Sequence, residues 1–526
     1  VKRPDTSPSK SHDRASVLII GSGIMGAAIA RMVRESDPVA RITMIAGGPR
    51  IGGIPGQHLH DSPDPDVRRT FNRNASVNSQ NLYMGSDLSE SVAQTARQIG
   101  AGMTSIGAIG DDGHEMPGAA IAWNEGGMSV HWAGGAPFPS GDEVPSFLDS
   151  AEWQLDLEAS RRLLRVTPDA FPLDGAARAI LGVLDSTVGA PSPDGLRAQR
   201  MPMALERMPD GRILRTGPNR ILPAMTQNDD PLFTLVADTV CTRILVEDGR
   251  ATGAETRQLT TGERGTIEAD AVVVAADALR TPQLLFASGV RPEGLGRYLN
   301  EHAFVSGAVV VSPEALGLDQ ADVAPPNAEE PFTNSLWVPQ AGSRQPFHAG
   351  LLCRAHRRPD GSPCYLVTLS WYVPTDISPD NRVMFSDDER DAQGMPRMRL
   401  AFGYSDADLE MIARARASQA VVARELSGDA TGHHSTVLPP GSSLHYTGTV
   451  RMGTRDDGTS VCDTDGRIWG YDNLYVVGNG VVPTALACNS TLTALVLATR
   501  TGRAVARDLR GKTRSVAGAG VRIRSE

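Results

Sequence analysis

The chain has 526 residues, a formal net charge of −10 with histidine neutral, 40% hydrophobic residues and 21% charged residues. That length exceeds one ordinary core and points to two domains, or to one large domain with a cap. The acidic balance disfavours nucleic acid as a partner, and the five dispersed cysteines (Cys241, Cys353, Cys364, Cys462 and Cys488), none in C-x-x-C spacing, argue against a disulfide framework or a zinc site.

Residues 1–15 are polar and read as a disordered start without a signal-like apolar run. No apolar stretch reaches the length of about 18 residues that spans a membrane. The expectation is a cytoplasmic protein with no membrane partner, unless a leader has been processed away. Val17-Leu18-Ile19-Ile20 reads as a buried parallel strand, residues 25–34 as a helix and residues 41–45 as a second strand, which together open a dinucleotide-binding fold. Residues 47–150, rich in Gly, Pro, Asn and Ser, read as long loops covering a cofactor. Helical spacing follows over 161–189, strands over 232–246 and 267–275, and a helix over 281–288. Alternating apolar residues over 303–311 and 365–373 predict antiparallel strands, and the acidic, Pro-rich stretch 316–330 a mobile surface loop. A helix over 405–426, a strand over 473–477 and a closing helix over 492–509 complete the pattern, with 511–526 as a basic, flexible tail.

Gly21-Ser22-Gly23-Ile24-Met25-Gly26 is G-x-G-x-x-G between a strand and a helix. Gly21 permits the tight turn, Gly23 lets the backbone approach a pyrophosphate at the helix N-terminus, and Gly26 allows close packing of helix on strand. The acidic residue that usually ends the second strand and binds a ribose is replaced by Ile45-Ala46-Gly47-Gly48, which weakens an NAD reading. Residues 269–288 and 473–499 favour FAD instead: each is a buried strand turning through small residues into a helix. The second helix could present its N-terminus to a flavin edge where negative charge builds up. Read without context, both segments are equally ordinary α/β core.

These segments together resemble the glucose–methanol–choline (GMC) oxidoreductase family, and most closely its bacterial pyranose oxidases and C-glycoside 3-oxidases. The resemblance rests on GGMSVHW (126–132), LGRYLNEH (295–302), DAQGMP (391–396), LHYTGTVRMG (444–453) and VVGNGVVPTALACNSTLT (476–493). It implies an α/β fold with a Rossmann-like FAD domain built from 16–150, 215–300 and 440–510. A substrate domain on an antiparallel sheet would be built from 151–214 and 301–439. It implies that Gly21, Ser22, Gly23, Met25, Gly26, Met128, Ser129, His131, Trp132, Val240, Cys241, Asn479, Gly480 and Thr491 attend the flavin, and that His445 and Asn489 are the catalytic pair. The implied reaction is oxidation of a secondary hydroxyl, at C2 or C3 of a sugar or glycoside. Hydride passes to flavin N5, His445 serves as base, and O2 or a quinone restores the flavin. A dehydrogenase for a non-sugar alcohol and a non-catalytic flavin scaffold are the alternatives.

The histidine matching His131 carries a covalent bond to the flavin in some pyranose oxidases and none in others. Val130 stands where the fungal motif has Thr, so a non-covalent contact or a structural histidine is equally open. Ala133 stands where fungal enzymes carry a hydroxyl near N5, which implies slow reaction with oxygen and good use of quinones. Asn489, at a helix start, also reads as an N-cap. His58-x-His60-Asp61 reads as a solvated loop rather than a metal site, and His433-His434 as surface. Gln340, Arg344, Arg354 and Trp371 fall in the expected substrate domain, where sugar contacts belong, and the sequence singles out none of them.

Overall fold

The computed structural model describes residues 14–76, 103–188, 195–227, 229–327, 329–330, 332–428 and 434–519. The N-terminal stretch 1–13, His433 and the last residues of the tail lie outside these.

Strand β1 (Ala15–Ile20), helix α1 (Ile24–Ser36) and strand β2 (Ile42–Ile45) form the expected βαβ unit. They sit in a seven-stranded sheet. Its parallel part runs in the order Phe233–Val236, β2, β1, Arg264–Val274, Leu474–Val476. The strand Arg264–Val274 serves two ladders. Its second half, Ala-Asp-Ala-Val-Val-Val, pairs in parallel with β1 and is mostly buried. Its first half is largely exposed and pairs antiparallel with Arg250–Gln258, which in turn pairs with Thr239–Glu247. Ile24, Ala27, Ala28, Ile29 and Val33 bury one face of α1, each large side chain worth about 1.5–3 kcal/mol. The closing helix Ser490–Ala519 packs beside α1.

The second sheet has six strands, all antiparallel, in the order His434–Val437, Ala303–Val311, Pro363–Val373, His348–Arg357, Asn334–Val338, Gln199–Arg200. Odd-numbered residues of its central strands (Val305, Leu351, Leu369, Trp371) enter one core with the helices Gly175–Val188 and Asp406–Ser427. Period-2 alternation then sends Phe304, Leu352 and Tyr372 to the opposite face.

Several elements differ from expectation. Residues 47–150 are not all loop: Pro65–Ser76 is helical, and the Asp64 carboxylate accepts from the Asp66 amide at its start. The helical stretch expected over 161–189 is two helices, Ser150–Leu164 and Gly175–Val188. The first ends where Arg165 adopts a left-handed φ of 58°. The helix expected from 281 begins at Asp277, so Pro282 lies inside it; the Ala278 carbonyl, which Pro282 cannot engage, accepts instead from the Thr449 hydroxyl. The closing helix runs on to Ala519, into the stretch expected to be a flexible tail. Arg250–Gln258 was not anticipated, because its apolar residues are only Ala and Gly. No helix among the described residues is long and apolar enough to cross a membrane.

Candidate active site

A cavity of 740 Å³ opens at the carboxyl ends of the parallel strands, the place where open α/β sheets bind ligands. Gly21 follows β1, Gly47 follows β2, Ala275 to Asp277 follow Arg264–Val274, and Gly478 and Asn479 follow Leu474–Val476; all of these line it. Gly21 has a φ of 118°, and a Cβ there would come within 2.1 Å of the Ala275 carbonyl oxygen, so the turn admits only glycine. The N-terminus of α1 is aimed at this wall. The Ser129 hydroxyl accepts from the Ile24 amide at 2.9 Å, and the Ser22 hydroxyl from the Gly126 amide at 2.9 Å. Segment 126–132 is thereby fastened across the glycine turn.

The same cavity is lined by His445, Asn489, Phe304, Leu352 and Tyr372. Both polar residues sit on irregular loops, and a buried glutamate holds each loop. One Glu301 oxygen accepts from the Gly441 amide, and the other from the amide and hydroxyl of Ser443; the Ser443 hydroxyl accepts in turn from the His445 amide at 3.2 Å. Burial raises the Glu301 carboxyl to about 7. Glu143 accepts from the amides of Ala487 and Cys488, both at 2.7 Å, immediately before Asn489, and burial raises this carboxyl as well. A third carboxylate, Glu125, accepts from the Gly56 amide at 3.2 Å and pairs with Arg50. The loop amides, which a strand or helix would otherwise satisfy, thus end on fixed acceptors.

His445 is half-buried on the cavity wall, and desolvation first, then His302 and His348, hold its imidazole well below the usual 6.5. It is therefore unprotonated near neutral pH. The Asn489 side-chain oxygen is buried without a hydrogen-bond partner among the described residues. It is not capping the closing helix, and an unmet acceptor of this kind costs about 1–3 kcal/mol until something donates to it.

Of the residues expected at a cofactor, Gly21, Ser22, Gly23, Met25, Met128, Ser129, His131, Trp132, Val240, Cys241, Asn479 and Thr491 line the same cavity as His445 and Asn489. Gly26 and Gly480 do not. A Cβ on Gly26 would meet the Gly21 carbonyl oxygen at 2.1 Å, and one on Gly480 would meet Val450 and Thr449, so both serve packing. His131 donates from Nε2 to the Asn124 side-chain oxygen at 3.0 Å, since the Asn124 amide nitrogen is already spent on Glu125 and Gly127; burial lowers this imidazole to about 4. The DAQGMP turn braces the cavity from behind: Asp391 binds Arg280 and Gln283, both of which line it.

Other expectations need correction. His58 and His60 are not solvated. His58 is buried and bonds the Trp132 carbonyl through Nε2 at 2.8 Å, while its Nδ1 accepts from the His60 amide. His60 bonds Asp61 and the Glu329 carbonyl. Among the described residues no three metal-ligating side chains converge. Gln340, Arg344, Arg354 and Trp371 do not line the cavity. Trp371 faces the helices by the parity of its strand and donates to Ser418, and Gln340 donates to Ser140. Arg354 covers Phe332, which does line it. His434 opens the strand His434–Val437.

Family models for GMC oxidoreductases match residues 203–304 and 378–498. A C-glycoside 3-oxidase of Microbacterium trichothecenolyticum is 39% identical over 96% of this chain and 98% of that protein. The chain belongs to the GMC oxidoreductase family. A pyranose 2-oxidase of Tricholoma matsutake is 28% identical over 93% of each chain. The solved structure of formate oxidase, 14% identical, superposes with a TM-score of 0.63 over 96% of this chain and 99% of that one, which reports the shared GMC fold. GMC oxidoreductases are FAD flavoproteins, and the cavity fits that cofactor. It has a glycine turn and helix N-terminus for a pyrophosphate. It also has a largely apolar wall of Ile20, Ile45, Val240, Cys241 and Leu284, and an orphaned acceptor on Asn489.

Proposed function

We propose that this GMC oxidoreductase oxidises a secondary ring hydroxyl of a pyranose glycoside to the ketone, with His445 as base and Asn489 as the second ligand of the alcohol. The observation that carries the reading is the pairing of a neutral, half-buried imidazole with a buried amide oxygen, unpartnered among the described residues, on the wall of one cavity. Position C3 is favoured over C2, because similarity to a protein named for 3-oxidation exceeds that to one named for 2-oxidation, 39% against 28%.

Bound FAD supplies the hydride acceptor. The protein has three tasks. The Gly21–Met25 turn and Ser129 hold the pyrophosphate end. Asn489 accepts from a substrate hydroxyl and so orients the carbinol C–H. His445 removes the hydroxyl proton as the ketone forms; an imidazole already deprotonated at neutral pH needs no prior proton loss. Phe304, Tyr372, Phe332 and Leu352 supply an apolar surface for the faces of a sugar ring and its aglycone. Ala133, which offers no hydroxyl, supports a quinone rather than O2 as the preferred acceptor.

The test is anaerobic bleaching of the flavin with D-glucose and with an aryl C-glucoside, followed by NMR location of the new ketone. His445→Ala lowers the reduction rate on the order of 10²–10⁴-fold with FAD retained. Reduction at the wild-type rate would reject His445 as the base.

A further inference from the structure

His302 is the last residue of the LGRYLNEH segment and sits directly before the strand Ala303–Val311. Its ring lies edge-on to that of His445, with centroids 4.8 Å apart and planes at 88°. His302 Nδ1 is 3.0 Å from the Leu486 carbonyl oxygen, and its Nε2 is 2.6 Å from His445 Nδ1. A carbonyl oxygen can only accept, so His302 carries its hydrogen on Nδ1. A neutral His302 then offers a lone pair at Nε2, and His445 must donate to it from Nδ1. The remaining lone pair of His445 is on Nε2, which has no hydrogen-bond partner among the described residues. The neutral state of both rings is what their surroundings enforce: burial lowers His302 to about 4 and His445 well below 6.5.

We infer that His302 is a positioning residue for the oxidation: by accepting from His445 Nδ1–H it selects the tautomer whose Nε2 lone pair is free for the substrate hydroxyl. This rests on the proposed reading of His445 as base. In that step the hydroxyl O–H bond breaks, a bond from that proton to Nε2 forms, and the carbinol hydrogen leaves as hydride to the flavin. His445 becomes an imidazolium, and its bond to His302 becomes charge-assisted and stronger than in the resting state. The hold on His445 therefore tightens as the reaction proceeds, which is the condition for a contact to aid catalysis rather than ground-state binding. The groups facing His445 are His302, His348 and the Tyr372 ring at 5.9 Å. The orienting partner is thus a second imidazole. Glu301, the neighbour of His302 in sequence, spends its carboxylate on the loop amides instead. Adjacent residues divide the work, one fixing the backbone that carries His445 and the other fixing its ring.

Two variants separate this role from a structural one. Gln at 302 can accept from His445 through its carbonyl and donate to Leu486 through its amide; Leu can do neither. In the FAD-loaded protein, His302→Leu is expected to slow anaerobic flavin reduction by at least about tenfold, and His302→Gln to restore the rate to within a few-fold. The second readout needs no substrate. In ¹⁵N-histidine-labelled holoenzyme the short His445–His302 bond gives a strongly downfield imidazole proton, absent from both His302→Leu and His445→Ala. Presence of that signal with rescue by Gln supports the inference. Its absence from the wild type, a wild-type rate in His302→Leu, or equal slowing by Leu and Gln overturns it. A wild-type rate in His445→Ala, with the signal present in the wild type, rejects instead the reading of His445 as base.

Discussion

His348 offers the cleanest quantitative check on the buried histidines. It lies on the cavity side of its strand, 1% exposed; its Nδ1 accepts from the Trp337 indole at 2.6 Å and its Nε2 has no partner among the described residues. Burial, then the neighbouring His302, lowers it from the ordinary 6.5 to about 3. The folded pKa lies below the unfolded one, so the unfolded chain binds the extra proton across this window. The stability that depends on a neutral His348 is therefore present above 6.5 and lost as pH falls towards 3. Between about pH 7 and about pH 5 the loss from this one residue is about 2 kcal/mol. His348→Gln keeps an acceptor for Trp337 but has no proton to gain. Thermal unfolding of both FAD-loaded proteins at the two pH values gives a double difference in which groups common to both cancel. The wild type should lose more stability than the variant on acidification, by a few degrees in midpoint. An identical acid shift in both proteins would show that His348 does not stay neutral in the folded state. Glu301, whose carboxyl is raised to about 7, works in the opposite direction, gaining stability as pH falls, and drops out of the comparison.

Gly26→Ala would drive a Cβ into the Gly21 carbonyl; the expected outcome is loss of bound FAD, read as the visible flavin absorbance per protein, and retention of full FAD content would contradict the close packing. Glu301→Gln would turn an amide nitrogen towards the Gly441 or Ser443 amides. It should cost about 1–3 kcal/mol of stability and reduce kcat more than it alters KM, measured by steady-state turnover with the aryl C-glucoside.

The first βαβ unit, the long apolar strand 269–274 and the alternating strands 303–311 and 365–373 were legible because their periodicity is local. The glycine turn was legible because its steric requirement falls within six residues. The two glutamate clamps were not. Nothing in Gly-Asp-Glu at 141–143 or Asn-Glu-His at 300–302 distinguishes a surface carboxylate from one that binds amides about 140 or 345 positions away, as Glu301 does at Gly441 and Glu143 at Cys488. His58 and His60 misled for a related reason. Gly, Pro, Ser and Asp flank them as in an exposed loop, and only the fold lays Trp132 and Glu329 over them. Trp371 shows the limit of alternation: period 2 defines two faces of a strand, and the helices decide which one is dry. His445 and Asn489 stood out through family resemblance alone, since each by itself reads as a structural residue.

The glutamate clamps have a consequence for how this protein can be altered. Glu143 and Glu301 grip mainly main-chain N–H groups, and every residue except proline presents one. The loops that carry His445 and Asn489 are therefore indifferent to most of their own side chains. Saturation libraries at cavity positions such as Ala133, Phe332 and Leu352 can recut the pocket for other alcohols while the two anchors keep the scaffold in register, provided the anchors themselves are left untouched.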